Sequence, residues 1–240
     1  MTFDLEFTPT RRTAEAVVVF DVLRMTTTAC AAFASGLTWL EVVADAEAAR
    51  ERARATGALL FGERDGLPLE GFDGGNSPVE TLDLDLAGRG AVLCTTNGSR
   101  AVEAAAGARH VFLGAIVNAE AVARFLLALG PDEVLLSCAG TVDRVSFDDV
   151  LGAAWLLREV VAREPDATLS DACALALAAV EGHEDPLPLL ERAAHARFLR
   201  SIGFAADVEF AARAGTFDVV PWRRAEAPPR FVADGTDDAG

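Results

Sequence analysis

The sequence predicts an α/β fold, layered α/β/α around a mixed, partly parallel sheet. Short apolar runs such as Val17 to Phe20, Ala91 to Cys94 and Val134 to Cys138 alternate with alanine-rich stretches of helical character. Each of these runs ends in a turn of threonine, asparagine or glycine that leads into helix-forming sequence. Ligand-binding groups of α/β proteins gather at such strand ends.

Phe3, Leu5 and Phe7 alternate with polar residues and predict a first strand. Val17 to Phe20 forms the central one, followed by Asp21, Arg24 and three threonines that open a helix to about Ala34. Trp39 to Val43 is the next strand, and Asp45 is the N-cap of a helix reaching Thr56. Leu59 to Gly62 is a short strand. Gly62 to Pro78 carries five glycines and two prolines, so it reads as an ordered loop without a regular element, closed by Ser77-Pro78 as N-cap and first residue of a short helix.

After Ala91 to Cys94, Thr95 to Ser99 is a turn and Arg100 to Ala106 a helix. His110 to Gly114 is a strand, and Asn118 caps a helix to Leu129 that Gly130-Pro131 ends. Beyond Cys138, the turn Ala139-Gly140-Thr141 precedes Ser146-Phe147-Asp148-Asp149, which has the pattern of a capping box opening a helix to Arg163. Helices over 170–180, 188–200 and 207–214 and a last strand over 217–221 complete one domain, residues 1–222, or two intimately packed α/β halves. Residues 223–240 have the composition of a disordered tail.

With 51% hydrophobic residues the chain has the material for a sizeable core, and it lacks an apolar run long enough to span a bilayer. These features predict a soluble, cytoplasmic protein. The net charge of −16 argues against nucleic-acid and membrane partners. A homo-oligomeric assembly is compatible with the sequence. All 21 basic residues are arginine, which excludes a Walker lysine, a pyridoxal Schiff base and a lysine nucleophile. The four cysteines lack the spacing of a zinc site or a disulfide framework.

The strand ends collect Asp21, Arg24, Thr26, Thr27, Glu63, Arg64, Asp73, Thr95, Thr96, Asn97, Gly98, Arg100, Gly140, Thr141 and Asp148. Carboxylates beside arginines, hydroxyls and helix N-termini suit a divalent cation such as Mg²⁺ together with a phosphate ester, hence metal-assisted phosphoryl transfer. Asp21, Glu63 and Asp148 are the candidate catalytic carboxylates, and Asp21, Glu63 and the weaker Asp73 the candidate metal ligands. Arg24, Thr26, Thr27, Arg64, the Thr95-Thr96-Asn97-Gly98 turn, Arg100, Gly140 and Thr141 are the candidate substrate-binding residues.

Cys94 and Cys138 each stand six positions before an arginine, as in cysteine-dependent phosphatases, but without the glycines that such a loop needs. An aspartyl nucleophile at Asp21 lacks the Asp-x-Asp pattern of haloacid dehalogenases. His110, His183 and His195 read as surface or helix residues.

Asp21-Val22-Leu23-Arg24, Gly62-Glu63-Arg64, Gly71-Phe72-Asp73, Gly75-Asn76-Ser77-Pro78, Thr95-Thr96-Asn97-Gly98, Cys138-Ala139-Gly140-Thr141 and Asp148-Asp149-Val150 occur in the order seen in the 2-phosphosulfolactate phosphatase family. The resemblance covers roughly residues 3–222. Met25 stands where that family commonly has alanine, and Val142-Asp143-Arg144 lacks the glycine that the family commonly has within the loop after Thr141. The resemblance implies Mg²⁺-dependent hydrolysis of 2-phospho-3-sulfolactate to 3-sulfolactate and phosphate, a step of coenzyme M biosynthesis. A phosphatase or phosphotransferase for another small acidic phosphorylated hydroxy acid, and a non-catalytic sensor of an acidic metabolite, are the alternatives.

Overall fold

The computed structural model describes residues 1–12, 14–223 and 229–233. In chain order it contains β1 (Thr2–Glu6), β2 (Ala16–Phe20), α1 (Met25–Ala34), β3 (Trp39–Val43), α2 (Ala46–Thr56), β4 (Leu59–Arg64), β5 (Leu67–Pro68), α3 (Pro78–Leu82), β6 (Gly90–Cys94) and α4 (Asn97–Ala104). There follow β7 (His110–Gly114), α5 (Ala119–Leu129), β8 (Glu133–Cys138), α6 (Phe147–Arg163), β9 (Thr168–Leu169), α7 (Asp171–Val180), α8 (Leu187–Leu190), α9 (Ala194–Ser201), α10 (Ala205–Ala211), β10 (Pro221–Arg223) and β11 (Phe231–Ala233).

The strands form one mixed, mostly parallel sheet in the order β5-β4-β6-β3-β11-β10-β7-β2-β8-β1-β9. It consists of two parallel blocks, β4-β6-β3 and β7-β2-β8-β1-β9, joined through the antiparallel β10-β11 hairpin. All five residues of β2 are buried, as expected for an interior parallel strand covered on both faces. Val18 and Phe20 pack with α5, α6 and α7 in the largest core, whereas Val17 and Val19 point into a second core. There α1 and α4 meet apolar residues of both parallel blocks, including Leu40, Leu93 and Leu113. The two blocks thus share one interior.

Local chemistry explains several boundaries. The Asp45 side chain accepts from the Ala48 amide at 2.8 Å and Ser77 accepts from Glu80, so both caps form as predicted. Others differ. The capping box at Ser146 does not form, because the Asp149 carboxylate turns to the Val22 and Gly140 amides. Asn118 accepts from the Ala115 amide and donates to Leu113 and Val219 carbonyls, bracing the turn before α5 instead of capping that helix.

The helix expected over 188–200 is broken into α8 and α9 by the extended Ala193. The glycine-rich loop after β4 contains β5, a two-residue return strand on Glu63 and Arg64.

The largest departure is at the C-terminus. The last strand expected over 217–221 lies at Pro221–Arg223, and Phe231–Ala233 is a strand inside the sheet, not part of a disordered tail. Phe231 is 1% exposed in the second core, and Arg230 stacks on Trp39 and bonds the Glu41 carboxylate at 3.0 Å. Three-residue strands are too short to register as alternation, and polar neighbours mask the one buried aromatic. The rest of the expected tail, 224–228 and 234–240, lies outside the described residues.

Candidate active site

A cavity of about 530 Å³ opens where the parallel strands β2, β4, β6 and β8 end. Its lining includes Asp21, Leu23 and Arg24 after β2, and Glu63, Asp65 and Gly66 around the β4-β5 turn. Thr96 and Asn97 come from the turn after β6, Thr141, Val142 and Arg144 to Asp148 contribute from the β8-α6 connection, and His195 and Phe198 from α9. Strand ends of both parallel blocks therefore supply one site.

Asp21 stands against two helix N-termini. Its Oδ1 accepts from the Met25 amide at 3.3 Å, and the Gly98 amide at the start of α4 also donates to the carboxylate. The approach is close: a Cβ on Gly98 would lie 2.6 Å from Asp21 Oδ2 and 2.6 Å from Met25 Cε, so glycine is required there. Burial, together with the charges of Asp148 and Glu63, nevertheless pushes the Asp21 carboxyl up to about 7 against the two amides.

Burial also raises Asp148, while His195, the Ser146 hydroxyl and nearby backbone amides pull it back. Asp149, which fastens the β2-α1 loop to Gly140, is raised well above the ordinary range by burial and then by Asp148 and Asp21. The wall is thus crowded with unneutralised acid groups.

Glu63 is oriented by two amides, accepting from Gly66 at 2.9 Å and from Thr96 at 3.4 Å. Asn76, 5% exposed, also lines the cavity, and its Oδ1 has no hydrogen-bond partner among the described residues. Leaving a buried acceptor unpaired costs about 1–3 kcal/mol, so such an atom marks a place for a ligand.

Of the residues predicted from sequence, Asp21, Arg24, Glu63, Thr96, Asn97, Thr141 and Asp148 line this cavity. Arg24 does so as a bracket: its guanidinium bonds Asp207 at 2.7 Å and the Gly66 carbonyl at 2.5 Å, lies over the Phe204 ring and is buried. The hydroxyls of Thr26 and Thr27 donate back to the Asp21 and Val22 carbonyls, and Thr95 accepts from the Ser99 amide, so these three secure their turns. Gly98 and Gly140 act beneath the cavity wall, the latter at φ +68°, where its amide reaches Asp149.

Arg64 donates to Thr96 Oγ1 and Arg100 pairs with Asp143; neither lines the cavity. Asp73 is likewise outside it, because its carboxylate accepts from the Leu60 amide and fixes the loop against β4. The thiols of Cys94 and Cys138 are buried away from the cavity with raised pKa values, which removes the support for a cysteine nucleophile.

Sequence reasoning missed Asn76, Arg144 and His195 as cavity residues, Asp149 as the brace of Val22 and Gly140, and Asp207 as the partner of Arg24. Asn76 and Asp149 carried a signal, their places in the Gly-Asn-Ser-Pro and Asp148-Asp149-Val150 blocks.

The sequence profile described as 2-phosphosulpholactate phosphatase matches residues 3–226. A probable 2-phosphosulfolactate phosphatase of Deinococcus radiodurans is 40% identical over 223 residues, covering 92% of each chain. Proteins of the same description from Carboxydothermus hydrogenoformans and Thermus thermophilus are each 39% identical, over 92% of both chains and over 86% of this chain and 87% of the relative, respectively. On a match spanning both parallel blocks and every strand end that meets at the cavity, the chain belongs to the 2-phosphosulfolactate phosphatase family.

Proposed function

We infer that the protein is a phosphoric monoester hydrolase that converts 2-phospho-3-sulfolactate and water to 3-sulfolactate and phosphate, with Mg²⁺ at the cavity. The observation that carries the mechanism is the meeting of Asp21, Glu63 and Asp148 with the unpartnered Asn76 oxygen. The substrate follows from the description shared by the family and its relatives.

Among the described residues no three His, Cys, Asp or Glu side chains group as a complete metal cage. Mg²⁺ does not need one, since it takes one or two carboxylates and keeps several waters. Asp21 and Glu63, with Asn76 Oδ1, are the oxygen donors that would hold it. When bound, the cation supplies charge neutralisation at the phosphoryl oxygens.

The chain's own groups do the rest. The two helix N-termini at Met25 and Gly98 keep Asp21 in place, and the Gly66 and Thr96 amides aim Glu63. Water attacks phosphorus, the bond from phosphorus to the ester oxygen breaks, and that oxygen takes a proton to leave as the hydroxyl of the product. Asp148 and His195 face the cavity as the pair placed to move that proton. No described helix is long and apolar enough to cross a membrane; a cytoplasmic site of action is proposed with the reaction.

The test is phosphate release from 2-phosphosulfolactate, phospholactate, phosphoglycolate and 4-nitrophenyl phosphate, each with Mg²⁺ and with chelator. Chelator-sensitive release that favours the sulfonated ester is the expected result. Release only from the other esters would overturn the substrate, and release indifferent to chelator would overturn the cation.

A further inference from the structure

The substrate inferred above carries carboxylate and sulfonate groups besides its phosphate, and a cavity rich in carboxylates must find positive charge for them. Among the described residues two arginines line it. Arg24 is neutralised by Asp207 and held under Phe204, with its remaining bond to the Gly66 carbonyl, so it is turned into the wall. Arg144 is exposed at the mouth, and its side chain has no hydrogen bond or ion pair among the described residues.

The backbone holds Arg144 in a fixed place. The Thr141 amide donates to the Arg144 carbonyl at 2.8 Å and the Arg144 amide returns the bond at 3.1 Å, closing a tight four-residue turn. Its central residues, Val142 and Asp143, have φ of 48° and 60°. Positive φ at both central positions is the signature of a type I′ turn, which favours Asn-Gly; a β-branched valine there is strained and needs outside support. Arg100 supplies it by pairing with Asp143, and Asn97 Oδ1 accepts from the Val142 amide at 3.4 Å. The turn is therefore latched to the start of α4.

We propose that Arg144 is the specificity-determining residue of this site, binding the sulfonate end of the substrate while the carboxylates serve the phosphoryl end. This rests on the phosphatase reading. A guanidinium offers several donors in a fixed fork, which suits a three-oxygen anion. Arg100, which the sequence offered as an anion binder, serves instead to hold the turn that carries Arg144.

The experiment has two arms on wild type and Arg144→Gln, both with Mg²⁺. In the first, kcat and KM are measured for 2-phosphosulfolactate and for phospholactate, which lacks the sulfonate. The variant is expected to raise KM for the sulfonated ester by about 10- to 100-fold, with kcat within a few-fold and phospholactate unchanged. Equal losses on both esters, or no loss on either, would overturn the proposal.

In the second arm, sulfolactate and lactate are titrated calorimetrically, which needs no turnover. Wild type is expected to bind sulfolactate and the variant to bind it about 10-fold or more weakly. If neither ester is hydrolysed but this loss appears, the phosphatase reading fails and the role of Arg144 stands. Equal sulfolactate binding by both proteins, or none by wild type, overturns the role of Arg144 whatever the turnover.

Discussion

Replacing Asp21 by asparagine should destroy turnover and yet stabilise the metal-free protein, increasingly so as the pH rises. The folded protein raises the Asp21 carboxyl from its ordinary 3.8 to about 7, burial being the main cause and Asp148 and Glu63 adding to it. A carboxyl raised on folding contributes its full stability below 3.8 and loses it as the pH climbs through about 7. At about 1.4 kcal/mol per pH unit, the wild type forfeits about 3 kcal/mol from this group between pH 5 and pH 8.

The carboxamide of the Asp21→Asn variant would not titrate. Its nitrogen would face the Gly98 or Met25 amide, a cost that is the same at both pH values and cancels in the comparison. For a chain of this size 1 kcal/mol moves Tm by about 2–4 °C, so the Asp21→Asn advantage in Tm should grow by roughly 5–10 °C from pH 5 to pH 8. Thermal melts of both proteins in chelator, followed by circular dichroism, read this directly. An advantage that is flat or shrinks with pH would refute the electrostatic account, because the neighbouring acids are present in both proteins and losing the Asp21 charge relieves them, which adds to the advantage at high pH.

Three further outcomes follow from the same geometry. Asp207→Ala leaves the Arg24 guanidinium buried without its counter-ion, so unfolding in urea should show a loss of about 3–5 kcal/mol, most of it recovered when Arg24 is also replaced by methionine. Gly98→Ala forces the Asp21 carboxylate from its place, and kcat should fall by about 10²-fold while the far-ultraviolet dichroism spectrum is retained. Phe231→Ala empties a position in the second core, and a loss of about 3–5 kcal/mol in denaturant titration would confirm that the C-terminal strand is integral to the sheet.

What the sequence discloses depends on the range of the interaction. β2, β6, β7 and β8 are largely apolar and, apart from His110 and Glu133 at the starts of β7 and β8, buried, and the ends of β2, β6 and β8 reveal the turns where Asp21, Thr96 and Thr141 stand. Arg24 was legible as a charged residue at a strand end, but its use was not. Its partner Asp207 lies in a distant helix, and nothing local distinguishes a guanidinium aimed at a ligand from one bonded to a carboxylate. Asp149 likewise resembles a capping residue until Val22 and Gly140 are brought to it. His195 and Arg144 reach the cavity from α9 and from a type I′ turn that lacks the usual glycine, so neither pattern announced them.

The position of the β10-β11 hairpin between β7 and β3 bears on how the chain matures. Ribosomes deliver the two parallel blocks first, and until residues 221–233 emerge the edges of β7 and β3 have unpaired amides and carbonyls. Sheet closure consequently waits for β10 and β11, which join strands made long before them. Nascent chains stalled short of this hairpin carry two open edges and an incomplete interior, the kind of species that chaperones retain.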